Sequence, residues 1–164
     1  MFTTDTGAVI EFNLNELARE TASLLDREMV AHKVSSHLEL DGDLPPILAN
    51  RVQIQRVLVN LLTNAIESLA ATRRRQRSIT MRSSQVDGHN VLLEVSDSGL
   101  GIPPEKMAHI FEPFFTTKSS GTGLGLSLSR TIVEEHGGRL WASPRPTHGA
   151  TFHMQLKSSP TSGP

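Results

Sequence analysis

Between Asn50 and Ala71 the apolar residues Ile54, Val57, Leu58, Leu61, Leu62, Ala65, Ile66 and Leu69 recur at helical spacing. The stripe runs for about six turns and predicts a long helix with one broad face on a core. Asn60, Asn64 and Glu67 stand at i, i+4 and i+7 on one adjoining flank. Asparagine is a mediocre helix former, so two of them beside a core stripe need a reason. They could hydrogen-bond a neighbouring loop, as side-chain amides commonly do. Alternatively, the amide oxygen of Asn64 could bind Mg²⁺, which takes hard oxygen ligands alongside phosphates and water.

The other elements are shorter. Ala8 to Phe12 reads as a strand, and Asn13 can cap a helix, with Glu16 at capping-box spacing and Leu14, Leu17, Leu24 and Leu25 on its apolar face. Val34 to Leu40 alternates as a strand does, and Asp43-Leu44-Pro45-Pro46 breaks the chain. Ile79 to Ser83 and Asn90 to Ser96 read as strands joined through Asp87-Gly88. Residues 102–123 are loop-rich, with at most short helices. A helix runs from about Thr122 to His136 and stops at Gly137-Gly138; Arg139 to Ala142 and Ala150 to Leu156 complete the strands. Helices and strands mix without strict βαβ alternation, which favours an α/β sandwich: a mixed sheet with helices on one face. Arg73-Arg74-Arg75-Gln76-Arg77 lies where cations meet the negative end of the long helix.

The chain has 164 residues, the size of one ordinary domain. Residues 1–7 read as a linker, 8–157 as the domain and 158–164, rich in Ser, Pro and Gly, as a disordered tail. A formal net charge of -1 gives no bulk attraction to nucleic acid or anionic lipid. With no cysteine, no apolar run of membrane-spanning length and no signal-peptide pattern, the sequence fits a soluble, cytoplasmic domain.

Three further segments carry chemistry. Asp97-Ser98-Gly99-Leu100-Gly101-Ile102 ends the apolar strand around Val91-Leu92-Leu93 and sets one carboxylate beside two glycines. Asp97 could simply form a turn. It could also accept a hydrogen bond from the exocyclic amine of adenine; guanine offers an oxygen there, so ATP would be preferred over GTP. Gly121-Thr122-Gly123-Leu124-Gly125-Leu126 opens a helix, where exposed backbone N–H groups suit phosphate. Leu126 breaks the dinucleotide spacing, and Lys118 precedes the glycines, so this is neither a dinucleotide fingerprint nor a Walker loop. Between them, Phe111, Phe114 and Phe115 could anchor a lid from which Thr116, Thr117 and Lys118 face phosphate.

The order of these segments is more specific than any one of them. Asn64 on a helix, Asp97-x-Gly-x-Gly101, Phe111 to Phe115, Gly121-x-Gly-x-Gly125, then Gly149-Ala150-Thr151 resembles the ATP-binding catalytic domain of sensor histidine kinases. That superfamily also includes type II topoisomerases, heat-shock chaperones and mismatch-repair proteins. Residues 111–118 look most like its nitrogen-regulation and oxygen-sensing branch. The resemblance covers Phe12 to Leu156 and implies the Bergerat-type sandwich with an ATP lid. It implies Asn64 as the Mg²⁺ ligand and Asn60 beside the phosphates. It implies Asp97, Gly99, Gly101 and Ile102 at the adenine, and Gly121 to Leu126 beneath the triphosphate. Thr151 would place a hydroxyl near the base, and Lys118 would reach the phosphates from the lid. Glu67 stands where some relatives have a phosphate-binding lysine, so that role does not carry over.

Asn60 occupies the position at which topoisomerase-like relatives carry a water-activating glutamate, and an amide cannot act as a general base. The resemblance therefore implies the kinase branch, in which a histidine attacks the γ-phosphate. The phosphoacceptor motif has an acidic residue directly after its histidine, whereas His32 precedes Lys33, His37 precedes Leu38 and His136 precedes Gly137. The acceptor is then expected on a separate dimerisation and phosphotransfer domain of the parent kinase, which passes phosphate to a response regulator, with the isolated domain a monomer. A nucleotide-responsive binding module without phosphotransfer, or a serine kinase of the anti-sigma-factor type, would share much of this pattern.

Overall fold

The computed structural model describes residues 7–73, 76–113, 115, 125–146 and 148–160. Strand β1 (Val9–Phe12) leads to helix α1 (Leu14–Leu24), α2 (Asp26–Ala31) and strand β2 (Ser35–Glu39). Strand β3 (Ile47–Asn50) precedes α3 (Arg51–Ala70); β4 (Ser78–Val86) and β5 (Asn90–Asp97) follow as a hairpin. A short α4 (Pro104–Met107), then α5 (Gly125–Glu135), β6 (Arg139–Pro144) and β7 (Ala150–Lys157) close the order. The main sheet runs β2-β4-β5-β7-β6, and β1 pairs with β3 in a small sheet of two. Only β2 and β4 are parallel; the other pairs are antiparallel. The expected mixed, mostly antiparallel sandwich is the observed one.

The predicted stripe of α3 is the centre of the core: all eight of its residues are buried. They pack with Leu14 and Leu17 of α1, Val133 of α5, and Ile79, Leu93, Val95, Phe152 and Met154 of the sheet. Asn50 caps α3 by accepting from the Gln53 N–H at 3.2 Å. Gly137, at φ 74°, ends α5, and the Gly138 N–H returns to the Val133 carbonyl at 2.9 Å.

Side chains on the central strands β5 and β7 alternate between the helix-covered face and an open one. On the open face the registers align Glu39, Arg82, Glu94, His153 and Trp141 in one row across five strands. Arg82 meets Glu39 at 2.6 Å and His153 Nδ1 meets Glu94 at 2.8 Å. His153 stacks on Trp141 with ring centroids 4.8 Å apart.

The structure shows three features that the sequence reading does not contain. Strand β3 follows the break at residues 43–46, in a stretch assigned no element from sequence: its pairing partner is β1, far away in sequence, so local pattern does not reveal it. Arg77 does meet the C-terminal end of α3, and it also reaches α2. Its guanidinium donates to the carbonyls of His32 (2.7 Å) and Thr72 (2.9 Å), joining the ends of α2 and α3. Ser158 and Ser159, read with the tail, are hydrogen-bonded to the domain. Their N–H groups donate to the carbonyls of His89 (2.9 Å) and Pro46 (2.7 Å).

Candidate nucleotide site

One flank of α3 organises the site. Asn60 stands at its near end; its Nδ2 donates to the Gly125 carbonyl at 3.3 Å and to Ser129 Oγ at 3.1 Å. Ser129 is fully buried, so this contact fixes the first turn of α5 against the middle of α3. A side chain at Gly125 would begin 3.3 Å from Asn60 Oδ1, which explains the close approach of the two helices here. Asn64, half-buried, and Glu67, exposed, follow along the flank. Ser68 closes it: a Cβ at Gly99 would stand 2.4 Å from Ser68 Oγ, so the loop after β5 lies directly on the last turns of α3. From Asn60 to Ser68 the helix rises about 12 Å. Along that length the flank passes from a helix start to the buried carboxylate of Asp97.

Asp97 is the last residue of β5 and 2 % exposed. Its Oδ1 accepts the Gly99 N–H at 2.8 Å, closing a tight turn over the strand end. Gly149, at φ 91°, backs this turn; a Cβ there would lie 2.0 Å from the Asp97 carbonyl. Gly101, at φ 82°, packs in turn on Gly149, with 3.1 Å between its would-be Cβ and the Gly149 carbonyl. Backbone stacked on backbone explains the glycines here: Gly101 and Gly149 also adopt positive φ, which a side chain disfavours. Ile102 leaves the turn and packs on the core edge, as does Leu126 at the start of α5.

Below α5, Phe111 meets Phe152 edge-on at 6.2 Å, and the Arg130 guanidinium lies 5.5 Å above the Phe111 ring. Phe111 is thus anchored to both β7 and α5.

Asn60, Asn64, Asp97, Gly99, Gly101, Ile102, Gly125 and Leu126 therefore gather along α3 and the ends of β5 and α5. Thr151 does not join them. The register pairs Asp97 with Ala150, and Ser96 with Thr151. Thr151 Oγ1 lies 2.8 Å from Ser96 Oγ, on the open face of the sheet, whereas Asp97 shares the helix-covered face with Ala150. Thr116, Thr117, Lys118, Gly121, Thr122, Gly123 and Leu124 lie outside the described residues. Sequence reasoning missed Ser129 and Ser68. Only Ser129 left a trace, four residues after Gly125 and so on the same helix face.

The donor set suits a metal–nucleotide complex. Among the described residues no cluster of three His, Cys, Asp or Glu side chains could hold a metal alone. Neutral amides beside a helix start fit a hard cation that brings its own phosphate ligands.

A family model described as histidine kinase-, DNA gyrase B-, and HSP90-like ATPase matches residues 49–160, from β3 to the end of β7. The chain belongs to this ATPase family. Its relatives fall on the histidine-kinase side. The sensor protein FixL of Bradyrhizobium diazoefficiens is 40% identical over 147 residues, covering 90% of this chain and 29% of that protein. The catalytic domain of histidine kinase ThkA superposes with a TM-score of 0.81 at 37% identity, covering 93% of this chain and 99% of that domain. ThkA in complex with the response regulator protein TrrA superposes at 0.77 and 36% identity, covering 92% of this chain and 42% of ThkA. The ATPase domain thus spans under a third of the length of FixL and nearly all of the ThkA catalytic domain.

Proposed function

We propose that this ATPase domain binds Mg·ATP and presents the γ-phosphate to a histidine on a separate dimerisation and phosphotransfer domain of its parent protein. The observation that carries the reading is the α3 flank, with Asp97 near one end and the start of α5 at the other. Asp97 accepts the adenine 6-amine, and Gly99, Gly101 and Ile102 form the floor under the base. The N–H groups and dipole at the start of α5, with Thr116, Thr117, Lys118 and Gly121 to Leu126, receive the phosphates. Asn60 holds α5 in place beside them, and the Asn64 amide oxygen is the protein's metal ligand. Mg²⁺ held there would supply neutralisation of phosphate charge. Asn60 has no proton-accepting group for water, which favours transfer to a positioned histidine over hydrolysis. Catalysis is then positioning and charge neutralisation.

Several features support a cytoplasmic workplace beside a parent kinase, membrane-anchored or not. The chain has no cysteine, and no helix among the described residues is long and apolar enough to cross a membrane. The likeness to ThkA bound to TrrA supports a response regulator as the eventual phosphate acceptor. The branch read from residues 111–118 and a monomeric isolated domain belong to the same proposal.

Nucleotide titrations by thermal shift and calorimetry test the binding half. A ligand at a hundred times its Kd stabilises a domain by about 2.7 kcal/mol. ATP with Mg²⁺ should raise the midpoint clearly and GTP should not; an equal response to both would remove Asp97 from the base site.

A further inference from the structure

Arg145, half-buried in the turn between β6 and β7, reaches the last residue of β5 and the glycine that precedes β7. Its N–H donates to the Gly149 carbonyl at 3.2 Å. Its guanidinium Nη1 donates to the Asp97 carbonyl at 3.0 Å. That carbonyl belongs to the last residue of the β5 ladder, paired with Ala150 at the start of β7. Gly149 presses on the same carbonyl from behind, at a distance that leaves no room for a side chain. The Asp97 peptide is thus held from two directions, by glycine backbone and by a charged donor. Rotation of that peptide would swing the Asp97 side chain and the Gly99 N–H that it accepts.

We propose that Arg145 is a positioning residue for base recognition: it pins the Asp97 carbonyl so that the Asp97 carboxylate stays aimed at a 6-aminopurine. Arg145 acts through Asp97 and is assigned no contact with nucleotide. Hydrogen bonds from charged donors are stronger than those from neutral ones. A planar guanidinium also holds a direction that a lysine ammonium, as a point charge, does not. The inference rests on the adenine reading of Asp97.

The test compares ATP with purine riboside triphosphate, which lacks the 6-amino group, by calorimetry on the 164-residue chain. Wild type should prefer ATP by about tenfold or more, the weight of one hydrogen bond to a charged group. Asp97→Asn should abolish the preference. Arg145→Ala should cut it at least threefold, and Arg145→Lys, which keeps the cation, should restore part of it. Melting temperatures separate this from loss of fold; if Arg145→Ala does not fold, Arg145→Lys and Arg145→Gln are compared with wild type in its place. A purely structural arginine would weaken both nucleotides equally and leave the preference intact, which overturns the proposal. If Asp97→Asn abolishes the preference and the arginine variants keep it, only the role of Arg145 falls. If Asp97→Asn also keeps it, the adenine reading falls and the role of Arg145 with it.

Discussion

Asn60 donates its side-chain amide to Ser129 Oγ at 3.1 Å, joining the middle of α3 to the first turn of α5. The same nitrogen reaches the Gly125 carbonyl at 3.3 Å, so one side chain satisfies two acceptors on a helix 65 residues away in sequence. Asn60→Asp removes both N–H donors and sets a carboxylate against the Gly125 carbonyl; the hydroxyl of the fully buried Ser129 would have to turn and donate instead of accept. We expect it to destabilise the domain by about 1–3 kcal/mol, the range for a buried polar group left unsatisfied. Asn60→Ala should cost less than Asn60→Asp, because it adds no charge. Urea unfolding measures both; equal midpoints for wild type and Asn60→Asp would show that the contact carries no weight.

Gly149 and Gly88 share positive φ but not surroundings. At Gly149 a Cβ would meet the Asp97 carbonyl at 2.0 Å; at Gly88 it would meet nothing within 4 Å. Gly88→Ala should cost only the backbone penalty, about 1–2 kcal/mol. Gly149→Ala adds a clash with backbone that cannot yield without moving Asp97. It should therefore destabilise more and weaken ATP binding, whereas Gly88→Ala leaves binding unchanged. Paired urea melts and ATP titrations decide this; similar results for the two variants would contradict the packing described.

These glycines illustrate how much of the site the sequence reveals. Local pattern is legible: the α3 stripe is buried, Asn60 and Asn64 share one flank, and Asp97 closes a turn onto Gly99. Relations set by strand pairing are not. Thr151 sits one residue from the face it would need, and a single step in a strand reverses a side chain's face. Strand β3 exists because β1 pairs with it, and Arg145 gains its role only because the β6–β7 turn folds over the end of β5. No periodicity signals such partners, since the residues that meet come from distant parts of the chain.

The Arg82–Glu39 pair on the open face shows a stronger electrostatic signature than its energy warrants. The hydrogen bond that Arg82 donates to Glu39, followed by that carboxylate's charge, raises the Arg82 pKa above its ordinary value. A raised cation pKa contributes stability that is full below the unfolded value and fades only as pH rises through the folded one, here in strong alkali. Both side chains are more than half exposed, at 58% and 53%. Arg82→Gln should therefore change stability by less than about 1 kcal/mol, with no dependence on pH between neutral and mildly alkaline conditions. Chemical denaturation at two such pH values checks this.

Asn64 carries the metal half of the proposal. Asn64→Ala should leave ATP affinity without metal nearly unchanged and remove most of the gain that Mg²⁺ brings. Calorimetric titrations with and without Mg²⁺ measure that difference. The same Mg²⁺ gain in wild type and variant would take the ligand role from Asn64.

Transfer of phosphate to a histidine outside this chain is the central claim. It is tested most directly by incubating the domain with the separately expressed dimerisation domain of its parent and γ-labelled ATP. The account predicts label on the dimerisation domain in an acid-labile, base-stable linkage, lost when Asp97→Asn replaces wild type. An acid-stable phosphoserine, or no transfer under saturating ATP, would contradict it.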